Sequence, residues 1–220
     1  MIDGMSADPL HMAELMAARL CHDLSGPVGP MAGMLELARE DPSAADEALA
    51  LASETADSLI ARIRLLRTAW GGHCGAMDIK TISALVSAGL ARKRVRLEFS
   101  GFSRPAAADP LLAPATARLL LNVLMLGMES LPGGGTLACA MQPDGDIVIH
   151  IAGPRAAWPA GLALCLADPD AAGQMLQEPR GMQASFTALL ASRPGPRLAM
   201  LFAAASPGTA PPLLITHSDG

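Results

Sequence analysis

The sequence predicts an α+β protein: an N-terminal antiparallel two-helix hairpin forming a dimeric four-helix bundle, followed by a C-terminal α/β sandwich. Three observations carry this expectation. Apolar residues recur at alternating steps of three and four from Leu10 to Trp70. A glycine-rich break, "GGHCG" (Gly71 to Gly75), follows them. Beyond it, short alternating runs are interleaved with helical ones. The first pattern is the stripe of a packed helix, the second a linker, and the third the mark of a sheet covered by helices. The expected domains are 1–70 and 76–220.

In the first half the stripe passes through Leu10, Ala13, Ala17, Leu20, Leu24, Pro27, Met31, Met34 and Ala38. It breaks at "EDPSA" and resumes through Ala45, Leu49, Ala52, Ala56, Leu59, Ile63, Leu66 and Trp70. Pro42 ends the first helix, and Ser43 is placed to cap the second, with Asp46 and Glu47 in its first turn. A lone hairpin cannot bury both flanks of such a stripe, so a twofold homodimer is expected. The alternative is a two-helix layer lying on the second domain.

In the second half "MDIK" reads as a short strand and "TISALVSAGLA" as a helix with Thr81 near its cap. "RVRLEFSG" alternates as a strand does, and Ala113 to Leu131 is a strongly apolar helix. "GGTLACAMQPDGDIVIHIAG" is a hairpin turning at Asp144-Gly145. Trp158 to Ala167 and Met182 to Leu190 are expected to be helical, "RLAMLFAAA" a strand, and the Pro-rich tail to hold a last strand. Helices on one face of a mainly antiparallel sheet are the predicted result.

Composition narrows the function. With 220 residues, 51% apolar content and a net charge of −5, the chain has a real core and an acidic surface. That speaks against nucleic acid as a partner, as do aromatics at 3% with no tyrosine. No apolar run approaches the ~18 residues of a membrane span, so no membrane is expected either. Asp3 and Asp8 stand where a signal peptide would be basic, and Cys21, Cys74, Cys139 and Cys165 form no CxxC, so the bacterial cytoplasm is the expected compartment. His73-Cys74 has no spaced partner pair, and no metal is expected. The basic run "ARKRVRLEF" reads as a solvated strand edge.

The informative stretch is "RLCHDLSGPVGPM", Arg19 to Met31. In the heptad frame His22 lies off the core stripe, exposed. Asp23 follows it, where a carboxylate can support an imidazole. Pro27 removes the helical bond to the carbonyl of Asp23, and Gly26 and Gly29 strip bulk from the face of His22. Cys21 is no partner for His22, because adjacent residues point about 100° apart on a helix. A protein approaching that face would meet Ala18, Arg19, Ser25, Gly26, Pro27 and Gly29. Arg19, or Arg62, Arg64 or Arg67 from the second helix, could steady a phosphoryl group there.

His-Asp-Leu-x-x-Pro on the first helix of a dimerising hairpin resembles the H-box of two-component histidine kinases. In that family the matching histidine, here His22, is phosphorylated. The second half resembles the kinases' ATPase domain in frame: "LLLNVLMLGMESLPGGGTL" puts Asn122 at the first asparagine and Pro132-Gly133-Gly134 at the turn. Its nucleotide residues are absent. The magnesium-holding asparagine falls at Leu126, which cannot ligate a cation that wants oxygen. In the Asp-x-Gly-x-Gly motif Ile151 replaces the aspartate, Gly153 is kept and Arg155 replaces the last glycine. "GMQASFTALLASRPG" lacks the glycine-rich phosphate turn.

An H-box hairpin joined to a degenerate ATPase-like domain is similar to the ChpT family of bacterial histidine phosphotransferases. The resemblance implies a phosphorelay. His22 takes phosphate from a receiver aspartate of a hybrid histidine kinase and passes it to response-regulator receiver domains. It implies no cofactor in this chain, the magnesium belonging to the receiver, and a supporting role for Asp23. Gly26 stands where many kinases have the Thr or Asn of phosphatase action. Two other readings stay open on the residues alone: a kinase with a divergent nucleotide site, and a non-catalytic dimeric adaptor.

Overall fold

A computed structural model describes residues 9–90, 94–102, 110–168, 181–202 and 206–216. The hairpin is α1 (Pro9–Glu40) and α2 (Ala45–Trp70). After the linker come α3 (Ile79–Gly89), β1 (Val95–Ser100), α4 (Pro114–Glu129), β2 (Gly135–Met141) and β3 (Ile147–Ala152). The chain ends in α5 (Leu162–Ala167), α6 (Met182–Ala191), β4 (Arg197–Met200) and β5 (Leu213–Thr216). The five strands form one sheet in the order β1-β2-β3-β5-β4. Only β1 and β2 are parallel, joined across α4; the other pairs are antiparallel, as expected.

Alternation builds the sheet. Leu137, Cys139, Ile147, Ile149, Ile151, Leu213 and Ile215 turn one face inward and are buried. The other face carries Arg96, Glu98 and His150, all exposed. The buried face packs under α4, a helix with apolar residues all round. Gly145, at φ 95°, makes the β2–β3 turn, where Gln142 N–H bonds Asp146 O at 2.7 Å. β1 is an edge strand, as the charges of "ARKRVRLEF" suggested, although residues 91–93 lie outside those described.

The local predictions need three corrections. "MDIK" is no strand: Met77 makes a single bridge to Leu112, and Asp78 then starts α3. Thr81 does lie near the cap, as expected: Asp78 is the cap, and its side chain accepts from Thr81 N–H at 2.8 Å. Ser43 does not cap α2. Its own N–H and hydroxyl bond Asp41 Oδ1, so Asp41 shapes the turn and Ala44 holds the cap position. Helix is confined to Leu162–Ala167, because Pro159 and Gly161, the latter at φ 84°, stop it from starting at Trp158. The strand in "RLAMLFAAA" covers Arg197–Met200, and residues 203–205 lie outside those described.

The two halves share a core. Leu65, Leu66 and Ala69 of α2 are buried in the same cluster as α4 and the sheet. Three side chains of the second half hold the end of α2. Arg118 donates to the carbonyls of Ala69 and Trp70 at 3.1 and 2.8 Å. Asn122 Nδ2 donates to Ala69 O at 2.9 Å, and Trp70 Nε1 to Gln183 Oε1 at 3.2 Å. The last carbonyls of a helix lack intrahelical donors, and here Arg118 and Asn122 supply them. The hairpin therefore does lie on the second half, but by its lower end only. Leu20, Val28, Leu35, Leu49, Ile60 and Ile63 remain exposed along its length.

Candidate functional site

α1 runs unbroken through Pro27 and Pro30. Two prolines inside a helix are unusual, and the residue before each is Gly26 or Gly29. A side chain at that position would clash with the proline ring in helical conformation; glycine has none, so the helix continues. Each proline still leaves a carbonyl without its usual donor, at Asp23 and at Gly26. The hydroxyl of Ser25 turns back onto the Cys21 carbonyl.

His22 is exposed on this segment. A Cβ added at Gly26, Gly29 or Gly33 would meet nothing within 4 Å, so the surface below the imidazole is bare backbone. Ala18, Ser25, Gly26 and Gly29 are exposed with His22, as the predicted approach face requires. Arg19 and Pro27 are half-buried; Pro27 lies about 140° around the helix from His22, toward the hairpin's interior.

Asp23 lies about 100° from His22 and points inward. Its carboxylate is taken by two arginines: Arg62 Nη2 at 2.8 Å and Arg19 Nε at 3.4 Å. It thus joins α1 to α2. Arg19 reaches further, its Nη2 donating to Glu129 Oε1 at the end of α4. Burial works against the charge on Arg19, but attraction and hydrogen bonds to Glu129 and then Asp23 outweigh it and raise its pKa above the ordinary value. Arg62 Nε is buried with no hydrogen-bond partner among the described residues. Arg64 and Arg67 are exposed.

Glu129 and the pairing of Asp23 with Arg62 are the parts that sequence reasoning missed. A signal for Glu129 existed: it is the lone carboxylate of an apolar helix, and sits at the C-terminal end, where the helix dipole disfavours it. Nothing in spacing alone reveals which arginine of α2 faces Asp23.

The degenerate nucleotide positions have become core. Leu126 and Ile151 are buried. Asn122 is fully buried, bonding Ala69 O and accepting from Gln183 Nε2 at 3.0 Å. Gly153 is kept for packing: a Cβ there would lie 2.3 Å from Gly134 O, in the turn before β2. Arg155 holds φ 61°. Among the described residues no group of His, Cys, Asp and Glu could hold a metal, and no helix is long and apolar enough to cross a membrane. Burial pushes the Cys139 thiol up to about 12, which makes it inert, whereas Cys21 is exposed.

Comparison with known proteins bears on the whole chain. The family model "Histidine phosphotransferase C-terminal domain" matches residues 79–205. Protein phosphotransferase ChpT of Brucella abortus (strain 2308) is 32% identical over 153 residues, spanning 66% of this chain and 68% of that protein. A solved bacterial phosphotransferase superposes with a TM-score of 0.72 at 24% identity, covering 95% of this chain and 97% of the other. That likeness supports the α+β architecture.

Proposed function

We propose a role for each of these residues from one premise: the chain belongs to the histidine phosphotransferase family. Histidine phosphotransfer in a phosphorelay is its function. His22 is the carrier, exchanging phosphate between the receiver aspartate of a hybrid histidine kinase and those of response regulators. The observation that carries this is the exposed imidazole above bare glycine backbone on an otherwise unbroken helix. The unprotonated ring nitrogen attacks the acyl phosphate; the P–O bond breaks as the P–N bond forms, and the receiver carboxylate leaves with the electron pair. Transfer onward reverses these bonds and returns a neutral imidazole.

Ala18, Arg19, Ser25, Gly26, Pro27 and Gly29 surround the docking face, with Arg19 and Pro27 supporting it from below. Asp23 acts by fixing α1 against α2 through Arg62, which holds His22 at a set angle. Burial of Leu126 and Ile151 in apolar core supports transfer without ATP. No metal of its own is needed; the receiver brings magnesium. The exposed apolar row of Leu20, Val28, Leu35, Ile60 and Ile63 supports a homodimeric four-helix bundle, since a second copy would cover it. The acidic composition supports the absence of a nucleic-acid partner, and the four free cysteines support a cytoplasmic protein.

Transfer of labelled phosphate from a phosphorylated receiver domain tests the carrier. Loss of labelling in His22→Ala, with folding unchanged, is the expected result. Undiminished labelling overturns it. Calorimetry with a non-hydrolysable ATP analogue is expected to show no tight binding, and sedimentation to give a dimer that Val28→Asp dissociates.

A further inference from the structure

The Arg19–Glu129 pair asks for an explanation that stability does not supply. Glu129 is the last residue of α4, where the dipole of its own helix disfavours a carboxylate. It belongs to the second half, while Arg19 belongs to the helix of His22. The guanidinium of Arg19 extends along α1 far enough for Nε to reach Asp23 Oδ2 at 3.4 Å. His22 stands on the same turn, about 60° around the helix from Arg19 and about 100° from Asp23.

The charges divide unevenly. Asp23 has Arg62 at 2.8 Å as its nearer cation, so its claim on Arg19 is the weaker one. Glu129 is the stronger claimant, joined through Nη2. The side chains are only 16% and 25% exposed, so water screens this pair less than a surface pair. A phosphoryl group on His22 would bring three acceptor oxygens and about two negative charges to the same neighbourhood. Guanidinium binds such oxygens, as it does a carboxylate, by two parallel N–H donors.

We infer that Glu129 is a positioning residue that competes with the phosphoryl group on His22 for Arg19. It rests on the reading of His22 as carrier. While Glu129 holds Arg19, the phosphoryl group is only partly neutralised and leaves readily for a receiver. With Glu129 uncharged, Arg19 turns wholly to the phosphoryl group and holds it. The second half thereby sets how firmly the first half keeps its phosphate, without touching the reacting atoms.

The two residues must then act with opposite sign, which a structural role for either would not produce. Full-length protein is phosphorylated with phosphoramidate and followed by phosphorus NMR, the resonance of interest being the one lost in His22→Ala. Glu129→Gln is expected to slow transfer from this site to an added receiver domain by about five- to tenfold, and to lower the pH at which the resonance titrates. Arg19→Gln is expected to speed transfer and raise that pH, and Arg19→Lys to fall between it and the unaltered protein. Shifts of one sign in both variants, or no shift in folded Glu129→Gln, overturn the inference alone. Absence of any His22-dependent resonance overturns the carrier reading and this inference together.

Discussion

Helices α1 and α4 are both rich in Leu, Met and Ala, yet they meet water in opposite ways. Of the 32 residues of α1 only Met12 is buried, whereas twelve of the 16 in α4 are. α4 lies between the sheet, α6 and the end of α2, so every side of it finds a partner. α1 touches α2 along one flank, and near its start α6 through Met12 and α4 through Arg19, and leaves its other side open for partners. A chain that transfers a group between proteins needs both kinds of helix: one that fixes the frame, and one whose surface is given over to partners. Substitutions at the buried positions of α4 should therefore be felt as stability, and those on the face of α1 next to His22 as function.

The largest stability effect is expected in α4. Leu124→Ala removes a fully buried side chain, and a cost of about 3 to 5 kcal/mol should appear in urea unfolding. A cost below ~1 kcal/mol would mean that α4 is not the frame. Asn122→Leu comes next. It strips Gln183 Nε2 of its best acceptor, while Ala69 O keeps Arg118, so about 2 kcal/mol should be lost. Little or no loss would show the buried network to be dispensable.

On α1 the sign reverses. Gly33→Ala adds a methyl group into open space and removes a helix-interior glycine, so stability should rise by roughly 0.5–1 kcal/mol. A loss would mean that this face is already covered. The smallest effect concerns Asp78. Its carboxyl is held below the ordinary value chiefly by the hydrogen bond to Thr81. A depressed native pKa gives stability that is full above the unfolded pKa and lost as pH falls through the native one. Asp78→Ala should thus destabilise modestly near pH 7 and flatten the acid limb of the stability curve; an unchanged limb would contradict the capping role.

Much of this contrast was legible in the residues. The apolar circumference of α4, the alternation of β1 to β3 and the Asp144-Gly145 turn are local patterns, and local patterns survive folding. The exposure of His22 followed from its distance to the stripe. What the residues hid was competition between neighbours. Ser43 is a good cap in isolation, but Asp41 engages its N–H and hydroxyl in the turn, so Ala44 is left at the cap position of α2 without a side-chain bond. The predicted stripe treated Ala13, Ala17, Leu20, Leu49 and Ile63 as core, yet all are exposed in one chain, because the hairpin uses a single flank. Arg19 was legible as a neighbour of His22 but not as a bridge to Glu129, 110 residues away, since sequence distance carries no record of that contact.

The central claim, that His22 carries the phosphate, is tested most directly by locating it. The protein is charged from a phosphorylated receiver domain, digested at alkaline pH to preserve phosphohistidine, and sequenced by tandem mass spectrometry. Among the five histidines, the account predicts the phosphoryl group on His22 alone. Phosphate on His11, His73, His150 or His217 with His22 unmodified would contradict it.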